Sequence, residues 1–429
     1  MGADLRPARI RLGRVLPALE LQQARLLVVG AFGAYFALLA ALGGYERWSR
    51  LGVSSSSVWF GDLRSVTSAW ECARRGISVL PVNPCDPSRR PANYPRLWLL
   101  PSHLGLGQGD TMALGFVVAA VFIIAAIAVV PPGASLRLGA TYALVACSPA
   151  AMLGIERGNV DLTLFALVVF AVLVSRRGVR GLIASGALIL LAAVLKLFPV
   201  FAVGFLARRG ERPRVAVAVA VAAVFAVYVA ALHDQIHAVV TAVPQGDIFS
   251  YGVRRVSEWI SAAMNEGVSA RLTSWRAWDV VIVTAAAGAG WLLARRRLAP
   301  FVADIGAAGM RDLDLFWAGA CTYVLTYAVA RNFDYRLVFL LATVPQLVHW
   351  ARAGSRFAVL TIGALVIVTW LDEWTHPPLL GRPLDWWSRV TAIGPHAQEL
   401  PVVVLGQLVL FGALVAWLAV TAPSLRRAA

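Results

Sequence analysis

The chain has 429 residues, of which 59% are hydrophobic and only 14% charged, and its mean hydropathy is +0.71. A soluble globular domain carries about a quarter charged residues, so the composition excludes that class and predicts an integral membrane protein. Basic residues exceed acidic ones by 39 to 23. They are spread over many short connections, which favours a role in membrane topology and contact with anionic membrane lipids over nucleic-acid binding.

Twelve apolar segments are candidates for membrane-spanning helices, which need roughly 20 residues each. They lie at 26–44, 111–130, 136–153, 159–175, 181–196, 198–207, 214–232, 278–294, 315–330, 335–350, 356–371 and 400–420. The 198–207 segment is too short to cross alone, and Pro199 predicts that it forms half of a broken hairpin with 181–196. The expected fold class is an all-α polytopic membrane protein with one integral domain over residues 1–429.

Arginines cluster in alternate connections between these segments. Because Lys and Arg accumulate in cytoplasmic loops, the pattern predicts cytoplasmic N- and C-termini, with a basic tail at 1–25. Three long connections, 45–110, 233–277 and 372–399, then face outward, where short interfacial helices are expected. We expect the chemistry of the protein at this outer side.

The first outer loop contains "VWFGDLRSVTSAWECARRG", in which Asp62 precedes apolar residues at helical spacing. The spacing of Val66, Ala69, Trp70 and Ala73 predicts an amphipathic helix on the membrane surface. Asp62 either caps the start of this helix or acts as a catalytic base, and its position alone favours the cap.

The same loop continues as "VNPCDPSRRPANYPRLW", 82–98, where closely spaced prolines predict an extended, turn-rich path. This stiff backbone holds Asn93 and Tyr94 beside the bilayer, and it either lines a pocket or only connects two helices. Cys72 and Cys85 share the loop. A disulfide between them stays open, since an outer compartment permits one.

Ionisable groups interrupt the apolar pattern at three predicted outer turns. They are Glu156, Arg157 and Asp161, with Asn159, in "ERGNVDL"; Lys196 in "LKLFP"; and Arg331, Asp334 and Arg336 in "ARNFDYRLVF". Charged side chains next to hydrocarbon are costly unless they are paired or face water. Three such turns at one depth favour a functional site, although a structural ion pair would explain any one of them.

Several classes of chemistry lack a motif in this sequence. It contains no phosphate-binding glycine loop, no G-x-S-x-G nucleophile motif and no H-E-x-x-H zinc motif. Nucleotide-driven and zinc-peptidase functions are therefore not supported. No residue is assigned to a metal, and a requirement for a divalent metal cofactor stays open.

Four features together resemble glycosyltransferase family 87. They are Asp62 in the first loop, "NYP" before the second span, "ERGNVDLTLFAL" at 156–167 and "AAVLKLFPV" at 192–200. The resemblance implies a GT-C-like fold and sugar transfer from a polyprenyl-phosphate sugar donor at the outer face of the bacterial cytoplasmic membrane. The best-known members transfer mannose, and a lipid or a glycan is the implied acceptor.

The resemblance implies that Asp62 is the base that takes the proton of the acceptor hydroxyl. Cations must stabilise the departing phosphate, and arginine and lysine side chains suit that role. The candidates are Lys196, Arg157, Arg331 and Arg336. The residues expected to bind the sugar or support these cations are Glu156, Asn159, Asp161, Asn93, Tyr94 and Asp334.

Two other function classes stay open. A transporter or flippase of lipid-linked saccharide would also bind phosphate at the membrane boundary, and a glycan polymerase or ligase would use related chemistry. A transporter is expected to carry polar residues through its spans, and few are found beyond Thr141, Thr163, Thr322 and Thr326. The concentration of charge at one face favours the glycosyltransferase.

Overall fold

The computed structural model describes residues 22–55, 58–242, 250–263, 268–305, 309–329, 331–374 and 401–422, which are mainly helical. The α-helices are α1 (Gln23–Ala41), α2 (Gly61–Arg74), α3 (Thr111–Val129), α4 (Leu136–Ala146), α5 (Pro149–Arg157), α6 (Asp161–Val174), α7 (Gly178–Leu195), α8 (Gly204–Ala207), α9 (Arg212–Ala231), α10 (His233–Ala242), α11 (Val253–Ala263), α12 (Val268–Leu293), α13 (Ala299–Ile305), α14 (Met310–Val329), α15 (Val344–Arg352), α16 (Arg356–Trp374) and α17 (Pro401–Thr421). The 3₁₀ helices are Tyr45–Leu51, Arg96–Leu104, Gln108–Asp110, Phe198–Val203 and Asp334–Thr343, and Ala294–Leu298 is a π-helix.

Each of the twelve predicted segments falls on a helix or on two short consecutive helices, which confirms the all-α prediction. Six helices in the described part of the chain are long and apolar enough to cross a membrane. A seventh is added if α4 and α5, which meet at 52°, form one broken span. Other apolar helices are shorter: α6 has 14 residues, roughly 21 Å, against roughly 30 Å of bilayer hydrocarbon. The count of twelve spans and the GT-C architecture stay predictions.

Helix α6 is largely buried and packs against α3, α7 and α14. The ring of Phe165 in α6 lies 5.7 Å from Phe122 of α3 and 5.8 Å from Phe339. Phe339 also lies 5.4 Å from Phe198. These aromatic contacts hold α3, α6 and two 3₁₀ helices together next to the turns that carry the ionisable groups.

The turn between α5 and α6 allows α2 to approach closely. Gly158 follows α5 with φ +58°, a left-handed conformation that favours glycine. A Cβ at this position would lie 2.9 Å from Phe60 Cβ and 3.1 Å from Leu63 Cβ. A larger residue would therefore displace the start of α2, which lies beside Asn159.

A short antiparallel ladder joins the second long connection to the turn after α14. β1 (Ser250–Tyr251) pairs with β2 (Asn332–Phe333), with Ser250 opposite Phe333. The hydroxyls of Tyr251 and Thr326 share a hydrogen bond of 2.9 Å, which ties the ladder to α14. The ladder thus fixes the start of the 3₁₀ helix that carries Arg336.

The predicted loop helix is confirmed as α2, in which Val66, Ala69 and Trp70 are buried. The proline-rich segment contains no helix before Arg96, in agreement with the predicted extended path. The 198–207 segment forms the 3₁₀ helix Phe198–Val203 and α8, and this 3₁₀ helix packs against α7. The predicted tail up to residue 21 and the third predicted loop beyond residue 374 lie outside the described residues.

Candidate active site

A cavity of ≈ 180 Å³ opens where α2, the proline-rich segment, the end of α5 and the segment after β2 meet. Its lining residues are Asp62, Ser65, Arg90, Pro91, Asn93, Tyr94, Leu153, Arg157, Phe333 and Tyr335. The cavity therefore presents one carboxylate, two guanidinium groups and three aromatic rings to a ligand. Four of the residues predicted from the sequence are among them: Asp62, Asn93, Tyr94 and Arg157.

Asp62 is the second residue of α2 and does not cap the helix. The residue at the N-cap is Phe60, in a left-handed conformation with φ 52°, and no side chain caps this end. The cap interpretation of Asp62 is therefore wrong. Its Oδ2 instead accepts a hydrogen bond of 2.7 Å from Asn159 Nδ2, while 22% of the side chain stays exposed in the cavity.

Asn159 connects Asp62 to a buried ion-pair cluster. Its Oδ1 accepts a hydrogen bond of 2.9 Å from the main-chain N–H of Asp161. The Asp161 carboxylate lies 2.6 Å from Lys196 Nζ and 3.2 Å from Arg336 Nε. Asn159 and Asp161 are fully buried, so their position is fixed by these contacts and by the packing of α6.

Aromatic rings surround the two cations of this cluster. Lys196 Nζ lies 5.4 Å from the ring centre of Tyr94 and 5.7 Å from that of Tyr335, and the Arg336 guanidinium lies 4.0 Å from that of Phe198. Burial lowers the pKa of Lys196, and the nearby Asp161 carboxylate opposes this shift. Burial also raises the pKa of Tyr94 well above its usual value, so Tyr94 stays neutral near pH 7.

Arg157 reaches the cavity from the end of α5. Its Nε lies 3.1 Å from Oε2 of the buried Glu156, and 24% of its side chain is exposed. The carboxylate thus holds one side of the guanidinium and leaves the rest able to meet an anion from the cavity.

Arg331 and Asp334 lie apart from the cavity lining. Arg331 pairs with Glu258 of α11, and Asp334 is buried at the start of the 3₁₀ helix after β2. Lys196 and Arg336 do not line the cavity either, although both contact Asp161. The three predicted turns therefore converge, but only the first places a cation in the cavity wall.

Sequence reasoning missed two cavity residues with functional side chains, Arg90 and Tyr335. Arg90 lies in the segment "CDPSRRP", where one arginine more in a polar loop carries no local signal. Tyr335 stands between two charged residues in "NFDYRLVF", and the alternation of polar and aromatic residues there was the available signal. Within the described residues, no group of three or more His, Cys, Asp or Glu side chains is arranged to hold a metal ion.

The fold and the cavity define a helical membrane protein with a charged site at the ends of its apolar helices. Residues 97–310 match the model of glycosyltransferase family 87, which confirms the resemblance seen in the sequence. No curated protein and no solved structure matches the chain. The matched segment contains Glu156, Arg157 and Lys196, whereas Asp62 precedes it and Arg336 follows it.

The family match and the apolar helices indicate a multi-pass membrane glycosyltransferase, which binds a sugar donor and an acceptor. A site for such a reaction needs a group that accepts a proton and groups that stabilise the leaving anion. The described cavity contains groups of both kinds, the carboxylate of Asp62 and two arginine side chains.

Proposed function

We propose that the protein transfers a sugar from a polyprenyl-phosphate donor to a hydroxyl group of a lipid or glycan acceptor. The observation that carries the proposal is the pairing, in one cavity, of the partly exposed Asp62 carboxylate with the Arg157 guanidinium. A carboxylate can take a proton and a guanidinium can bind a phosphate, which are the two demands of this reaction.

In the proposed reaction the acceptor hydroxyl attacks the anomeric carbon of the donor sugar. Asp62 takes the hydroxyl proton on Oδ1, the oxygen that Asn159 does not hold. The bond between the anomeric carbon and the phosphate oxygen breaks, and its electron pair goes to the phosphate, which Arg157 stabilises. A single displacement of this kind inverts the configuration at the anomeric carbon.

Lys196 and Arg336 contribute to this site without lining the cavity. Both contact Asp161, so the three groups carry one net positive charge close to the cavity. In a site of low polarity a charge acts over several ångströms, so this cluster attracts the donor phosphate without contacting it. The main-chain N–H of Asp161 also holds Asn159, and Asn159 in turn orients Asp62.

The sugar is proposed to lie against the aromatic side of the cavity. Tyr94 and Tyr335 line it, and the ring of Phe333 stacks on Tyr335 at 5.4 Å. Aromatic faces suit the C–H groups of a sugar ring, while Asn93 offers an amide to its hydroxyls. Mannose is the donor sugar we propose, by analogy with the best-known family members.

The site is proposed to face the outside of the bacterial cytoplasmic membrane. Cys72 and Cys85 form a disulfide next to the cavity, and disulfides persist in oxidising compartments. Asp161 starts α6 and Lys196 follows α7, whereas the arginines at 176, 177 and 180 lie at the other ends of these helices. Arginine at that opposite end supports its cytoplasmic location.

The test is sugar transfer by the purified protein in lipid nanodiscs. Wild type and Asp62→Asn are supplied with radiolabelled polyprenyl-phosphate mannose, or its glucose and galactose counterparts, and with a membrane lipid extract. We expect label to move to a new product with wild type alone. Label that crosses the bilayer of a proteoliposome without chemical change would instead identify a flippase.

A further inference from the structure

Arg90 lies in the cavity wall beside Asp62. Its Nη2 donates a hydrogen bond of 2.7 Å to the Gly61 carbonyl, and its Nε donates one of 3.1 Å to Asp86 Oδ2. Its Nη1 lies 3.8 Å from Asp62 Oδ1. Two of the three guanidinium nitrogens are thus held by the protein, and the third faces the carboxylate across a gap.

That gap has the dimensions of a binding position for an oxygen atom. At 3.8 Å, Nη1 and Oδ1 are too far apart for a hydrogen bond to each other. An oxygen atom to one side of the line that joins them can lie at about 2.8 Å from both, which is an ordinary hydrogen-bond distance. A hydroxyl is the group that suits both neighbours, because it can accept from an arginine and donate to a carboxylate.

The segment that carries Arg90 is anchored to the same helix as Asp62. The Cys72–Cys85 disulfide joins it to α2, and Asn83 Nδ2 donates a hydrogen bond of 3.4 Å to the Ser65 carbonyl of that helix. Asp86 is buried, and its Oδ1 accepts a hydrogen bond of 2.7 Å from the Ser88 main-chain N–H. The position of Arg90 relative to Asp62 is therefore fixed before any substrate enters.

We propose that Arg90 Nη1 and Asp62 Oδ1 together bind the nucleophilic hydroxyl of the acceptor, an inference that rests on the proposed function. Arg90 donates to one lone pair of the hydroxyl oxygen and so directs another toward the donor sugar. The oxygen then bonds to the anomeric carbon, its proton passes to Asp62 Oδ1, and the phosphate leaves with the electron pair of the broken bond. Asp86 is the positioning residue that holds Arg90 in place.

This assignment separates the two arginines of the cavity. Arg157 binds the donor phosphate, and Arg90 binds the acceptor hydroxyl. Loss of Arg90 should therefore impair use of the acceptor and leave phosphate binding unchanged, and loss of Arg157 should weaken phosphate binding.

The experiment compares wild type, Arg90→Gln, Arg90→Lys and Arg157→Gln in nanodiscs, with Arg89→Gln as a control on an exposed neighbour in the same loop. Binding of decaprenyl phosphate reports the phosphate site and shows that the Arg90 and Arg89 variants are folded, and thermal unfolding shows this for Arg157→Gln. Initial rates from decaprenyl-phosphate mannose to octyl α-mannoside, at varied acceptor concentration, report use of the acceptor.

We expect Arg90→Gln to lower kcat/KM for the acceptor by about 10- to 100-fold, the loss of a hydrogen bond to a charged donor, with the Kd of decaprenyl phosphate within about twofold of wild type. Arg90→Lys should retain part of the activity, and Arg89→Gln should behave as wild type. Unchanged acceptor kinetics in Arg90→Gln, or a rise in the Kd equal to that of Arg157→Gln, would overturn the assignment. A wild-type protein that binds decaprenyl phosphate but transfers no sugar would instead overturn the proposed function.

Discussion

Two buried carboxylates among the described residues each hold two cations, and only one of the two is connected to the candidate active site. The two clusters are Asp161 with Lys196 and Arg336, and Asp314 with Arg208 and Arg209. Both carboxylates are fully buried. Asp161 lies at the cavity end of the helices, whereas Asp314 lies near the start of α14, at the opposite end from β2.

The two clusters differ in the residues that lie next to them. Asp161 reaches the cavity through Asn159, which holds the partly exposed Asp62. Asp314 and its two arginines do not line the cavity. A buried ion cluster is therefore not by itself the sign of a site in this protein, and its connection to an exposed carboxylate is the informative feature.

The largest effect is expected from Asp62→Asn, which removes the proton acceptor at the cavity end while keeping the shape of the side chain. An amide oxygen can still accept from Asn159 but cannot act as a base, so transfer should fall by about 10³-fold. Transfer rates in nanodiscs and the melting temperature are measured together. Glu71→Gln, on the same helix, is the control, and transfer by Asp62→Asn within about threefold of wild type would exclude Asp62 as the base.

The second prediction compares the two buried carboxylates directly. Asp161→Asn and Asp314→Asn each leave buried cations without their carboxylate, so each should destabilise the protein by about 3–5 kcal/mol. Only Asp161→Asn should also lower the transfer rate per folded molecule, by about tenfold or more, because its cluster adjoins Asn159 and the cavity, whereas the Asp314 cluster does not. Thermal unfolding and transfer are measured on both variants, and equal losses of specific activity would mean that the clusters do not differ in function.

The third prediction removes one cation from each cluster. Lys196→Met abolishes the net positive charge beside the cavity and should weaken decaprenyl phosphate binding by about fivefold. Arg208→Met makes the same change at the other end and should leave that binding unchanged. Binding titrations decide the point, and equal affinities in the two variants would remove Lys196 from any influence on the donor.

The smallest effect is expected from Arg331→Gln. Its guanidinium pairs with Glu258 and does not line the cavity, so transfer and phosphate binding should stay within about twofold of wild type. The same two assays test it, with Arg157→Gln as the comparison. A loss as large as that of Arg157→Gln would place Arg331 at the phosphate, as its position in the sequence suggested.

Local patterns made part of this structure predictable. The spacing of Val66, Ala69 and Trp70 predicted α2, and the prolines of residues 82–98 predicted an extended path, because both depend on neighbouring residues alone. Charged side chains are costly beside hydrocarbon, and this cost predicted that the polar turns form a functional site.

Pairings between distant residues were not predictable in this way. Asp62 and Asn159 are 97 residues apart, and nothing in either local pattern shows that they meet. Arg331 and Arg336 belong to one short segment, yet they have different partners, because Arg331 precedes β2 whereas Arg336 lies in the 3₁₀ helix that follows β2. The pairing of Cys72 with Cys85 was likewise open, since spacing alone does not reveal whether two cysteines form a disulfide.

The span of sequence that supplies the Asp161 cluster has a consequence for biosynthesis. A ribosome synthesises Asp161 before Lys196, and it makes Arg336 only after a further 140 or so residues. During that interval the carboxylate lacks its full complement of cations, and a charge well inside a bilayer costs about 2.5–3.5 kcal/mol on the scale of the insertion machinery. Because Asp161 is the first residue of its helix, it can stay in contact with water at the membrane interface until Lys196 and Arg336 have been synthesised. The placement of Asp161 at a helix end thus lowers the free-energy cost of inserting the growing chain, in addition to its role in the folded enzyme.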